Sequence, residues 1–288
     1  MASLKEVKTR IASVNSTRKI TSAMKMVASS KLHRAQQAIE SMLPYETLLN
    51  RIMSRFVEGL QGEINSPYVK ARSVEKVVII VYSSNSSLCG GFNANIIKNL
   101  KHVIADYRAN GITNIRIIPI GRKVAEAVKK AGFVYTNDPM SLLDKPNYAD
   151  AAEIAAGLMQ EFVNGSVDKV DLVYNHFKST STQVLTHETY LPLHLTSDEV
   201  QAEGTVDYII EPSMEEMVRL LIPKALQLKL YTVLLDSLAS EHAARVVAMQ
   251  VATDNADELL QDLTLMYNKT RQQAITTELL DIVGGSMQ

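Results

Sequence analysis

Tryptophan is absent from this sequence, cysteine occurs once, and the net charge is almost nil at −1. Each lack excludes something. The lone Cys89 excludes an internal disulfide and agrees with a reducing compartment. A near-neutral chain without a basic pI or interleaved aromatics is no general nucleic-acid binder. No stretch approaches the roughly 18 uncharged apolar residues of a membrane span. Neither a His-x-x-x-His nor a Cys-x-x-Cys spacing occurs among the six histidines and one cysteine, so the common zinc patterns are missing. There is no Gly-x-x-x-x-Gly-Lys loop and no triple-glycine dinucleotide fingerprint. Internal repeats and low-complexity segments are also absent, and the N-terminus shows no signal peptide or separable presequence.

The most informative absence is of glycine and proline at the two ends. Residues 224–283 contain neither. Small or apolar side chains recur there every three or four positions: Leu226, Leu230, Val233, Leu234, Leu238, Ala244, Val247, Ala248, Val251, Leu259, Leu263 and Met266. That period predicts a helix of about 90 Å. Ser213 with Glu216 has capping-box spacing for its start. Pro223 is expected to kink or break its first turns, and Gly284-Gly285 to end it.

Such a helix cannot bury a stripe against itself. A partner of similar length lies at the other terminus, where residues 2–58 hold no glycine and one proline, Pro44. One stripe reads Leu4, Val7, Ile11, Val14, then Leu32, Ile39 and Leu43. Between the two parts a different face turns apolar, through Ile20, Met24 and Val27. Two readings stay open for that face: helix drift, or contact with a second surface. Ala23, Ala28, Ser29 and Ser30 on one helix, and Ala239, Ser240, Ala243, Ala244, Ala248 and Ala252 on the other, permit close backbone approach. Asp254 and Asn255 interrupt the seam as register-setting polar residues. The simplest assembly is a long antiparallel two-helix coiled coil from the two termini. Residues 1–40 carry eight basic and two acidic side chains, so one arm is locally +6. Either that face is merely solvated, or it meets an acidic protein partner.

Between the arms the period changes. Residues 59–74 read as a linker. Val77 to Val81 form a continuous apolar run, as expected of a strand buried on both faces. A helix capped by Asn93 follows, then a strand at 115–120, a helix at 122–131, a helix at 150–164, a strand at 169–177 and a hairpin partner at 183–191. This alternation predicts an inserted, mostly parallel-sheet α/β domain over 75–208, Rossmann-like in arrangement. The expected organisation is therefore 1–58 helix, 59–74 linker, 75–208 α/β domain and 209–288 helix.

Candidate chemistry is sparse. Ser83 to Asn93 follows a strand and opens a helix, where α/β folds hold phosphates, but it lacks the spaced glycines and lysine that such a site needs. Cys89 as a nucleophile would need a base, and nothing in the sequence places His102, His176 or His187 beside it. Asp236, Glu241, Asp254 and Asp257 read as solvated or register-setting charges. Ile275, Leu279, Ile282 and Val283 form an apolar helix end that must bury itself against another protein.

Longer words carry a resemblance. Leu4 to Val14 (LKEVKTRIASV) and Thr17 to Ala28 (TRKITSAMKMVA) resemble the start of the gamma subunit of F-type ATP synthase. Ala239 to Arg245 (ASEHAAR), Ala252 to Ala256 (ATDNA), Tyr267-Asn268-Lys269, Arg271-Gln272 and Ile275 to Ile282 (ITTELLDI) resemble its end, and Leu88 to Asn93 (LCGGFN) its central loop. The resemblance spans the whole chain in order. Two departures stand out. Asn85-Ser86-Ser87 replaces a charged pair, and Gln250 replaces a common lysine.

The resemblance implies a rotor shaft of a proton-translocating synthase, one copy per complex, without cofactor, metal or catalytic residue of its own. The coiled coil would stand inside a hexamer of alpha and beta subunits. The α/β domain would sit at the foot, beside the epsilon subunit and the c-subunit ring. Carried over by motif, Arg271, Gln272, Thr276 and Glu278 contact a beta-subunit loop, and Met24 and Lys25 face the acidic lever of beta. A bacterial enzyme is expected, with the chain held peripherally at the cytoplasmic face of the inner membrane. Two rivals remain at this point: a phosphate-binding α/β enzyme with helical arms, and a static homodimeric scaffold.

Overall fold

The structure, a computed structural model, describes residues 3–59, 66–70, 72–136, 141–193, 211 and 213–286. The two arms are α1 (Leu4–Gly59) and α6 (Met214–Ser286). At helical rise they measure about 84 and 110 Å. The Ser213 hydroxyl accepts the Glu216 N–H at 3.3 Å, which is half of the anticipated capping box. The breaks expected at Pro223 and at Gly284-Gly285 are not there, because α6 runs through both. Ile222 and Leu226 flank Pro223 and are fully buried, so core packing on either side of the proline offsets the lost backbone bond. Each terminal glycine costs only about 1 kcal/mol in a helix.

The arms run antiparallel, and three polar contacts give the register. Arg18 meets Asp257 at 2.9 Å, Thr21 Oγ1 lies 2.8 Å from Thr253 Oγ1, and Lys25 donates to Gln250. Partner numbers sum to 275, 274 and 275. Leu32 packing on Ala243 and Ala239 keeps that register further down. Ala239, Ser240 and Ala243 are fully buried and Ala28 nearly so, which is the close approach that small residues permit. Carried to the end of α1, the register sets Leu4 level with Arg271. About 15 residues of α6, some 22 Å, therefore project beyond α1 as a single helix. Leu43 departs from the expected stripe. It is exposed, and Met42, Leu49 and Met53 take the core positions instead.

The inserted domain is a four-stranded sheet, β1 (Lys76–Tyr82), β2 (Asn114–Ile120), β3 (Lys169–Phe177) and β4 (Gln183–Leu191), in the order β2-β1-β3-β4. β1 pairs parallel with β2 and β3, and β4 pairs antiparallel with β3. Pro119 is tolerated because β2 is an edge strand. Two helices, α2 (Phe92–Ala109) and α3 (Arg122–Lys130), cover one face through Ile96, Leu100, Val103, Val124 and Val128. After the short α4 (Ser141–Asp144), α5 (Tyr148–Val163) covers the other face, beside α6. Helix α5 starts two residues earlier than the pattern suggested because Asn147 caps it, accepting the Asp150 N–H at 2.8 Å. Asn93 does not cap α2. The cap is Gly91, and the Asn93 side chain turns back to bond Ser84.

Gly121 joins β2 to α3 at φ 114°, and a Cβ there would lie 2.6 Å from the Ser83 carbonyl oxygen. Both strain and collision oppose a side chain. Gly121→Ala is expected to destabilise the purified chain by about 2 kcal/mol or more in thermal or urea unfolding. A wild-type midpoint would contradict this reading.

Candidate functional site

The residues singled out by motif fall at two stations along the rod. The first is on α1. Thr21, Ala28 and Leu32 are buried towards α6, while Ile20 (60% exposed), Met26 (65%) and Val27 (58%) face away from it. The second apolar face of α1 is therefore no drift of the seam. Among the described residues nothing covers it. Met24 is half-buried at its edge, and the Lys25 ammonium is held by Gln250, whose own amide donates to Asp254 at 2.6 Å. The lysine-to-glutamine departure at position 250 thus supplies a neutral bridge between Lys25 and Asp254. Gln250 is also the residue level with Met24 and Lys25.

The second station is the single-helix tip. Arg271, Gln272, Thr276 and Glu278 are all exposed, and Thr276 returns its hydroxyl to the Gln272 carbonyl at 2.9 Å. Leu279, Leu280, Ile282 and Val283 are more than half exposed. The two stations are not brought together, because some 20 residues, about 30 Å of helix, separate them.

The junction of rod and domain forms a third constellation, which sequence reasoning missed. The loop after β1 heads for β2 and the loop after β3 for β4. Between them lies the topological switch point at which α/β sheets commonly bind ligands. Here α6 bonds to the chain on both sides of it. Asp236 accepts the Phe177 N–H at 2.7 Å and pairs with His176 at 2.6 Å, and Ser240 donates to the Asn175 carbonyl at 2.8 Å. Arg245 donates to the Ser87 carbonyl and pairs with Glu241 at 2.6 Å. Gly90 lies against Ala248. The sequence reading of Asp236 and Glu241 as solvated charges is corrected by these contacts. Asp257, paired with Arg18, does set register. Burial pushes the Glu241 carboxyl up, and Arg245 offsets part of that rise. The only foretaste of this junction in the sequence was the packing of small residues around Ala239–Ala244.

The Ser83–Asn93 loop is built for packing. Leu88 stands at φ 68° with its side chain outward, while Cys89 is buried and takes an N–H from Asn93 at 3.1 Å. Its hydrogen-bond partners are Ser84, Ser86 and Asn93, none of them a base. No group of His, Cys, Asp or Glu among the described residues has the geometry of a metal site. No described helix is long and apolar enough to cross a membrane.

A family model described as ATP synthase matches residues 3–287. The ATP synthase gamma chain of Phocaeicola vulgatus is 60% identical, with all of both chains covered. The chain belongs to the ATP synthase gamma chain family. The gamma chain of Bacteroides thetaiotaomicron is 58% identical, again over the whole of both chains. Among solved structures, the central stalk and c-ring of the Tetrahymena thermophila mitochondrial ATP synthase matches at TM-score 0.59 and 25% identity, covering 81% of this chain and 99% of that one. A chain of the Euglena gracilis mitochondrial ATP synthase shares the fold at TM-score 0.54 and 20% identity, over 92% and 94%. This chain is the rotor shaft of an F-type ATP synthase.

One junction residue gives a pH test. His242 follows Glu241 on α6, and its Nδ1 is buried without a hydrogen bond. Burial first, then the nearby Lys31 and Arg245 charges, holds its imidazole down at about 4. The unfolded chain takes up this proton near pH 6.5 and the folded chain does not. Its contribution to stability is therefore full above about 6.5 and is lost as pH falls towards 4. His242→Gln should flatten that part of the stability profile by up to about 1.4 kcal/mol per pH unit, read by urea unfolding. An unaltered slope between pH 6.5 and 4 would refute it.

Proposed function

We propose that the rod stands inside a hexamer of alpha and beta subunits, and that the α/β domain takes its drive from a c-subunit ring with the epsilon subunit beside it. Ion flow turns the ring, the ring turns this chain, and the turning shaft leads each catalytic beta subunit through its nucleotide states. The nucleotide sites belong to the hexamer, so the chain catalyses nothing itself. It is held peripherally at the cytoplasmic face of a bacterial inner membrane by its partners. The working parts are the arm 1–58, the linker 59–74, the α/β domain 75–208 and the arm 209–288.

The observation that carries this reading is the bare tip. A helix end that runs about 22 Å beyond α1 with Ile275, Leu279, Leu280 and Ile282 exposed gains stability inside a partner's sleeve. The enzyme reading loses support because Asp236, Ser240 and Arg245 of α6 bond to the strand end and loop where such a sheet would hold a ligand. At the tip, Arg271, Gln272, Thr276 and Glu278 meet a beta-subunit loop. On α1, Met24 and Lys25 face the acidic lever of beta. The exposed side chains of Lys5, Lys8, Lys19 and Arg34 suit such an acidic partner.

Purification from native membranes through a tag on the α/β domain should return three alpha and three beta subunits per copy of this chain, with ATPase activity. Recovery of the chain alone as a soluble homo-oligomer would sink the proposal. Met24→Lys adds a charge to the α1 station. It should leave ATP hydrolysis and assembly near wild type while lowering ions pumped per ATP. Normal pumping per ATP in that variant would remove Met24 from the contact.

A further inference from the structure

The sheet and α6 meet mainly through apolar side chains: Tyr82, Leu172, Leu226, Leu230, Val233 and Leu234. Apolar burial holds the surfaces together and its interdigitated side chains transmit strain, but the hydrophobic effect itself is non-directional. Directional bonds add a preferred angle between helix and sheet. Some start from flexible or rim groups: Lys229 meets Glu188 at 3.2 Å with both side chains partly exposed, and Tyr148 reaches Gln227 at the surface. Two buried tyrosines, Tyr190 and Tyr82, each donate one hydroxyl to α6 carbonyls, Leu226 at 2.8 Å and Leu230 at 3.4 Å. Asp236 and Ser240 differ in being side chains of α6 itself. They stand four apart on one face of α6 and both grip main-chain atoms at the end of β3. Strand β3 is paired with β1 up to Val173 and with β4 through Phe177, so the gripped end is tied to β4 and is continuous with the part held on both sides. Ser240 is fully buried and the Asp236 side chain is 18% exposed, which shields both bonds from competing water.

We propose that Asp236 and Ser240 form the clamp through which torque passes between the α/β domain and the shaft. They are positioning residues. Neither touches nucleotide or ion, and they act by fixing the angle of α6 relative to the sheet. His176, on the rim of the same contact, adds a second bond to the Asp236 carboxylate. The proposal rests on the reading that the domain receives the drive and the tip delivers it.

The test uses the whole complex, with the hexamer immobilised and a probe fixed to the α/β domain. With hydrolysis halted, the angular spread of the probe reports the stiffness of the path between them. In Asp236→Ala/Ser240→Ala the variance of that spread should rise by about 1.5-fold or more, as directional bonds are lost. Ions pumped per ATP should fall, while hydrolysis without load stays at the wild-type rate. Asp236→Asn keeps an acceptor for the Phe177 N–H and should restore most of the stiffness, which a general loss of folding would not. A double variant with wild-type spread and wild-type pumping per ATP overturns the clamp. Should that variant not assemble, Ser240→Ala alone is read in the same way, and an unchanged spread there overturns it too. A wild-type probe that fails to rotate during hydrolysis would instead overturn the rotor reading.

Discussion

Everything in this chain follows from the need of one very long helix to cover its inner face. Helix α6 has no partner of its own length, so its burial is divided. From Val218 to Leu238 it lies against the sheet, α5 and the lower part of α1, and here the helix is apolar almost all round. From Ala239 to about Leu263 only α1 and the edge of the domain cover it, and small residues take over. Beyond the level of Leu4, α1 no longer accompanies it, and the described side chains from Arg271 to Leu280 are exposed. The surroundings thus change twice along one continuous helix, and each change marks where a different kind of neighbour begins.

The domain is bound to the rod in an unusual way. In a ligand-binding α/β sheet, the crevice between strands whose loops diverge is left open for a small molecule. Here Asp236 and Ser240 of α6 bond to the end of β3 at that place. This is why the serine-rich loop after β1 lacks a phosphate motif without being disordered in design: its carbonyl at Ser87 is spoken for by Arg245, and its Cys89 and Asn93 are turned inward. On the opposite side, Asp171 is held by His187 and by the Tyr107 hydroxyl, with Lys169 alongside at 3.3 Å. Burial raises that carboxyl, but these partners outweigh it and keep it below the usual range. The network ties α2 to both central and edge strands.

Much of this was legible in the sequence. The absence of glycine and proline over both ends announced two long helices, and the all-apolar run Val77–Val81 announced a strand covered on both faces. The antiparallel pairing of 169–177 with 183–191 followed from their short connection. What was not legible depended on tertiary packing. Pro223 carries every local signal of a break, yet Ile222 and Leu226 on either side of it lie in the core and keep the helix whole. Leu43 has the right spacing for the seam but the wrong phase, because the helix meets the domain there and Met42 faces inward instead. Asp236 could not be told from its neighbours Asp254 and Asp257. Only the approach of β3 to that one turn makes it a buried tie, and no local pattern encodes that approach.

The charge on α1 gives the last step. A basic helix beside a near-neutral chain could be balanced internally by its partner helix. Among the described residues, however, α1 makes ion pairs only at Arg10 with Glu6 and at Arg18 with Asp257. Gln250 meets Lys25 with a neutral amide where a carboxylate would have cancelled it. Lys31 lies near Glu241 and His242 of α6, while Lys5, Lys8, Lys19 and Arg34 are exposed, as are Ile20, Met26 and Val27. Charge and apolar surface therefore share the exposed face of α1. Screening over about 8 Å at physiological salt confines the field of this face to close approach, so its charge is felt at contact and not at a distance.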